Sequence, residues 1–224
     1  MFAGSVRSAG PAAAPDGVVY VAAVRELWVT TGAPPLGVAS ADKSIQVYDA
    51  SNPRRLKLKT KITLDGSAEG YAVDNRRGLF YTNLEETGDT ISIDVRSHRV
   101  VAKWNVGAAD LQGLALDAKR RFLFVACGDH VVALDVGRGG RVIDSVKTGA
   151  GLDNIAYSPE EKVLYAAASE IGTLTVAEVD DEGRFHLKAT IPTVKGARGV
   201  VAARAGNAYL IDPLGGHILK MTRK

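Results

Sequence analysis

The chain has 224 residues, with 28 lysines and arginines against 25 aspartates and glutamates and a formal charge of +3. That length suits one domain of ordinary size or at most two small ones, and hydrophobic residues at 46% with charged residues at 24% describe a globular chain and exclude an intrinsically disordered one. A charge of +3 is too small to drive nucleic-acid or membrane binding alone, and no apolar run approaches the roughly 20 residues of a membrane helix.

Residues 1–17 hold one Arg among Ala, Gly and Pro and no apolar h-region. They do not read as a signal peptide; a processed chain would look the same, and the compartment stays open. Within them, 2–7 is a spare strand and 8–17 a linker. Four strand-like runs then follow at 18–22, 26–30, 44–49 and 58–64. The pattern sharpens at 71–74, 79–83, 90–94 and 100–104, where Val, Ile, Leu, Tyr and Phe are bounded by turns such as Asn75-Arg76-Arg77-Gly78. It recurs at 114–117, 122–127, 131–135 and 142–146, and again at 155–158, 163–167, 173–179 and 185–191. Three strands, at 199–203, 207–211 and 217–221, end the chain.

The third strand of each unit closes on an aspartate. Asp49, Asp94, Asp135 and Asp180 stand 45, 41 and 45 residues apart. Four strands repeated at that interval define a propeller blade; a β-sandwich has similar strands but no reason for the period. The expected fold is an all-β single domain over 1–224, a β-propeller of five four-stranded blades at roughly 18–65, 66–107, 108–149, 150–193 and 194–224. The last blade takes its fourth strand from residues 2–7, since an open edge invites aggregation.

The usual catalytic signatures are missing: CxxC, HExxH, GxSxG, the P-loop and GxGxxG do not occur. His98, His130, His186 and His217 are scattered and read as surface or turn histidines. Cys127, the only cysteine, ends an apolar run and reads as a small buried hydrophobe. The closing aspartates read as turn caps. Arg54 to Lys61 alternates basic residues on one face, an outer edge strand rather than a nucleic-acid strip, because no aromatic is interleaved and Trp28 and Trp104 read as core.

The units resemble the YVTN-repeat family of β-propellers. The resemblance is carried by Leu79-Phe80-Tyr81-Thr82-Asn83 with Thr90-Ile91-Ser92-Ile93-Asp94, by Leu123-Phe124-Val125-Ala126-Cys127 with Val132-Ala133-Leu134-Asp135, and by Gly196-Ala197-Arg198-Gly199. It covers about residues 66–212 and departs from the family's usual six or seven blades. It implies either an exported binding protein or a lactonase-like enzyme; related propellers of the gluconolactonase and paraoxonase groups are calcium-dependent lactonases.

In a propeller the loops leading into strand A and those joining strands B and C share a face, where concavity favours a ligand. The residue two before strand A is Glu69, Gln112 and Asp153 in three successive units, and Arg198 stands just before the last strand A, with Ser67, Asp110 and Asn154 nearby. The B-to-C loops add Asn83, Glu85, Asp129, His130 and Glu170. The expected metal ligands are Glu69, Asp153 and Asn154, oxygen donors suited to calcium, which accepts irregular geometry. Glu69, Asp153 and Arg198 are the expected catalytic groups, the first two activating water and Arg198 stabilising an oxyanion. Gln112, Asp110 and Asn83 would hold the substrate. On this reading the chain opens a small lactone, of N-acyl-homoserine type. The alternative is a non-catalytic platform for a protein, peptide or single-stranded nucleic acid, since one fold hosts both. Neither reading calls for a membrane, and the oligomeric state stays open.

Overall fold

Runs of alternating apolar residues separated by short turns form antiparallel hairpins, because each strand's backbone groups are satisfied by its sequence neighbour. The structure is a computed structural model that describes residues 15–31 and 42–222. It is all-β, with five sheets, four of them four-stranded and one three-stranded, each ordered as the chain runs. The expected closing strand at 2–7 lies outside the described residues. Among the described residues no helix is long and apolar enough to cross a membrane.

The chain divides into two compact units, Met1–Asn105 and Val106–Lys224. The first holds one sheet of β1 (Pro15–Val21), β2 (Glu26–Thr31), β3 (Ser44–Asp49) and β4 (Lys57–Thr63). Its second sheet is β5 (Ala68–Asp74), β6 (Leu79–Leu84), β7 (Asp89–Asp94) and β8 (Arg99–Asn105). The second unit holds β9 (Leu111–Asp117), β10 (Phe122–Cys127), β11 (His130–Asp135) and β12 (Arg141–Lys147). Next come β13 (Leu152–Ser158), β14 (Val163–Ala168), β15 (Thr173–Val179) and β16 (Phe185–Pro192), then the short sheet β17 (Val200–Ala203), β18 (Asn207–Asp212) and β19 (His217–Met221).

Middle strands start and stop within a residue or two of expectation. The leading strands β5, β9 and β13 each start three residues early. The reason is a bulge: register shifts between Glu69 and Ala72, opposite Val125 and Cys127, and between Leu152 and Ile155. An extra residue breaks the period-two alternation that marks a strand in sequence. In the first unit hydroxyls from β2 and β6 bond the bulged backbone, Gly17 N–H donating to Thr30 Oγ1 at 2.9 Å and Thr82 Oγ1 to Gly70 C=O at 2.7 Å.

Sheets pack face to face within each unit. Trp28, Ile45, Val47, Phe80, Ile91 and Ile93 form one core in the first, with Trp28 and Phe80 rings 4.9 Å apart. In the second, Phe124 sits 4.9 Å from Tyr157 and 5.7 Å from Phe185. Leading strands approach closely: a Cβ on Gly113 of β9 would fall 2.4 Å from the Asp153 carbonyl oxygen of β13, so only glycine fits there.

The closing aspartates cap their turns as expected. Asp49 accepts from Ser51 N–H (2.9 Å), Asp94 from Ser97 N–H (2.7 Å), Asp135 from Gly137 N–H (2.9 Å) and Asp180 from Arg184 N–H (2.8 Å). A second aspartate series ends the leading strands. Asp74 accepts from Arg77 (2.7 Å), and Asp117 from Arg120 Nε (2.7 Å) and Tyr157 OH (2.9 Å). Arg120 then donates to the carbonyls of Val179 (3.2 Å) and Asp180 (2.5 Å), tying one sheet's turn to the next sheet.

Candidate functional site

The bulges carry the expected site residues. Glu69, Gln112, Asp153 and Asn154 lie inside leading strands, at the irregular end that frees their side chains from the regular ladder. Arg198 precedes β17. Glu69 and Asn83 belong to the first unit and the others to the second.

In the second unit three leading strands bring their starts together. The Arg198 carbonyl accepts from Asn154 N–H at 3.3 Å. The Asp153 carboxylate takes Arg198 Nε on one oxygen at 3.1 Å and Asn154 Nδ2 on the other at 3.5 Å. Asp110 stands in the left-handed region (φ 57°), its carbonyl accepting from Gly128 N–H at 3.1 Å and its carboxylate from Gln112 Nε2 at 3.0 Å. The expected residues thus meet as two polar pairs, Asp153–Arg198 and Asp110–Gln112. The Arg198 side chain is 68% exposed and that of Asp153 28%.

In the first unit Asn83 is within β6, fully buried, rather than in a loop. It stands opposite Glu69 in β5, and its Oδ1 accepts from Thr90 Oγ1 at 2.7 Å. Beside it, Glu86 accepts from Ser67 N–H (2.6 Å) and Ser67 Oγ (3.0 Å) and pairs with Lys43 at 3.1 Å. Burial raises the Glu86 pKa, and the bonds from Ser67, Lys43 and a backbone amide outweigh it, so the carboxyl lies below its usual range. Glu86 was not among the expected residues; Glu85 beside it was.

Among the described residues no three or more His, Cys, Asp or Glu side chains gather closely enough to hold a metal ion. At Asp153 a calcium ion would have to displace a guanidinium and sit beside its positive charge. The donor set in the second unit therefore does not fit calcium as it stands.

Two apolar hollows lie in the second unit. One, of about 440 Å³, is lined by Val163, Tyr165, Val176, Ile191 and Met221, with Glu161, Glu178 and Lys188 at its polar side. It sits at the Ser158–Val163 end of its sheet, opposite the end that carries Asp153. The other, of about 600 Å³, adjoins Asn154 and spreads over the last sheet, where Val201, Ile211 and Ile218 are 61%, 58% and 76% exposed.

The remaining singled-out residues are structural. Burial pushes the Cys127 thiol up to about 12, so it is no nucleophile at neutral pH. Of the basic strip in β4, Lys59 and Lys61 pair with Glu26 (2.6 Å) and Asp42 (2.5 Å). Of the histidines, His130, His186 and His217 pair with nearby aspartates, whereas His98 reaches buried Glu26, with Nε2 at 2.9 Å.

No family model matches the chain, and no curated protein matches it. Solved structures do. A chain of the mitotic checkpoint complex is 10% identical with a TM-score of 0.71, over 88% of this chain and 58% of that one. A chain of hydrazine synthase from Kuenenia stuttgartiensis is 16% identical with a TM-score of 0.69, over 99% and 69%. A chain of a nidogen/laminin complex is 14% identical with a TM-score of 0.68, over 95% and 77%. The chain thus spans less than two thirds of the first of these. At these identities the likeness is one of fold: with the repeated four-stranded antiparallel sheets it indicates a β-propeller-type architecture.

Proposed function

We propose that the chain is a propeller-type binding platform for a protein or peptide. The observation that carries this reading is the exposed apolar face of the last sheet, Val201, Ile211 and Ile218, rimmed by Asn154 and the neighbouring Asp153–Arg198 pair. An apolar centre with a polar, hydrogen-bonding rim is how protein interfaces are composed. In this proposal the sheets are blades of a YVTN-like domain, residues 2–7 add the fourth strand at the edge of the last blade, and the face carrying Val201, Ile211 and Ile218 stays uncovered. Removing residues 1–8 then lowers the melting temperature by several degrees; an unchanged melt counts against the closure.

The test compares partners captured by the wild type and by the Ile211→Lys/Ile218→Lys variant, with melting temperatures to show both are folded. A partner held only by the wild type supports the platform. Equal capture by both overturns it.

A second reading, the lactone hydrolase, is favoured by one observation: Asp153 and Arg198, from successive leading strands, lie 3.1 Å apart on an accessible surface. A carboxylate and a guanidinium there can take a proton from water and stabilise an oxyanion. Here Asp153 and Arg198 are the reacting groups and Gln112 and Asp110 hold the lactone, all four within the second unit. Acid release from a panel of lactones, measured by pH-stat with calcium and then with excess EDTA, decides it. Turnover abolished by Asp153→Asn establishes the enzyme, and no turnover in either condition removes it.

A further inference from the structure

The opposite end of the second unit carries a cleft of about 760 Å³ that neither reading uses. Three hairpin turns build it: β9–β10, β11–β12 and β15–β16. They supply Arg120, Arg121, Arg138, Arg141 and Arg184. Two of these are spoken for, Arg120 by Asp117 and Arg138 by Asp135 at 3.7 Å. The acidic lining is smaller and largely neutralised. Asp135 caps its own turn, and Asp181 is held by Lys162 at 2.5 Å, leaving Glu182.

Arg121, Arg141 and Arg184 have no ion-pair partner among the described residues. Arg121 is also held in place: a Cβ on Gly137 would fall 2.4 Å from its Cζ, so the guanidinium lies flat on the Gly137 backbone. Three unpaired guanidiniums in one concavity repel one another, at a cost an anion removes. Their planar donor forks match a tetrahedral oxyanion better than a point charge does.

We propose that this cleft binds a phosphoryl group, doubly charged at neutral pH, carried on a phosphorylated peptide or on a small phosphate ester. Phe122, the aromatic among its lining residues, is buried beneath Arg120, whose guanidinium lies 5.2 Å from the ring. It offers no face on which a nucleic-acid base can stack, which disfavours single-stranded nucleic acid. The site is separate from the apolar face proposed above, so either can fail alone.

The experiment uses the full chain and fluorescence polarisation at low salt. The probes are a labelled phosphoserine peptide and the same peptide with serine or glutamate in its place. Unlabelled phenyl phosphate, pyrophosphate and a poly-dT oligonucleotide serve as competitors. The phosphoserine peptide binds at least about tenfold tighter than the glutamate one, because a dianion with three acceptor oxygens engages more than one fork. Arg141→Gln/Arg184→Gln weakens it at least about tenfold with an unchanged melt; the single Arg184→Gln serves if the double variant does not fold. Competition by phenyl phosphate and pyrophosphate at equal concentration assigns a small ester, and competition by phosphopeptide alone assigns a peptide. Equal affinity for the phosphoserine and glutamate peptides, stronger competition by poly-dT, or no effect of the arginine substitutions overturns the proposal.

Discussion

The two units build the same hairpins from different interiors. In the second, β10 and β14 read Phe-Leu-Phe-Val-Ala-Cys and Val-Leu-Tyr-Ala-Ala-Ala and are buried along their whole length. In the first, the corresponding sheets bury Thr30, Thr31, Ser44, Gln46, Thr82, Asn83 and Thr90. Aliphatic side chains need only volume and density, while buried hydroxyls and amides need partners. The first unit supplies most of them, the Ser44 hydroxyl excepted: Thr82 to Gly70, Thr90 to Asn83, Tyr48 OH to Gln46 at 2.6 Å. It buries a charge as well. Glu26 holds Lys59 at 2.6 Å, His98 at 2.9 Å and Trp28 Nε1 at 3.0 Å. The second unit has a buried charge too, Asp117 with Arg120 and Tyr157, so the contrast lies in the inner strands, aliphatic throughout β10 and β14 and rich in paired polar groups in β2, β3, β6 and β7.

Three substitutions and one control test that contrast. Phe124→Ala in the second unit has the largest effect, a loss of about 4 kcal/mol in urea unfolding, because it empties a fully buried aromatic cluster. A loss under about 1 kcal/mol would mean that packing does not dominate there.

Glu26→Gln comes next, at about 2–3 kcal/mol, since it removes the charge that Lys59 and His98 face. Its pH dependence has a definite sign. Burial raises the Glu26 pKa, and the bonds from Lys59, His98 and Trp28 outweigh it, so the folded value lies below the ordinary 4.5. The stability it provides is therefore present above about pH 4.5 and is lost as pH falls through the folded value. The Gln variant shows a flatter acid limb in stability against pH. An acid limb as steep as the wild type's would remove Glu26 from the explanation.

Thr82→Val is the smallest, at about 1 kcal/mol. It keeps the shape and deletes the one hydroxyl bond to the bulge at Gly70. Ala126→Val in the second unit, where no such bond exists, gives the control: any loss there comes from overpacking a fully buried strand.

Much of the architecture was legible in the residues. Asp94, Asp135 and Asp180 marked the repeat because each caps a turn that recurs at the same place, a local interaction that sequence displays. The starts of β5, β9 and β13 were not, because a bulge hides strand alternation. The meeting of Asp153 and Arg198 followed from aligning successive repeats. The burial of Asn83 did not, since an asparagine near a strand end reads as a loop residue until its partner Thr90 is seen across the ladder. Least legible were contacts between turns of different sheets. His98 meets Glu26 across 72 residues, and the arginines at 121, 141 and 184 share a cleft that only folding assembles.

Both tryptophans, Trp28 and Trp104, lie in the first unit, while the sole cysteine, Cys127, is buried in the second. The molecule thus carries a native reporter in each unit. Indole emission follows the opening of residues up to 105, and the rate at which a thiol reagent modifies Cys127 follows the opening of the rest. Followed in parallel at neutral pH under rising urea, the two signals say whether both units open at once or one opens first, with no substitution introduced.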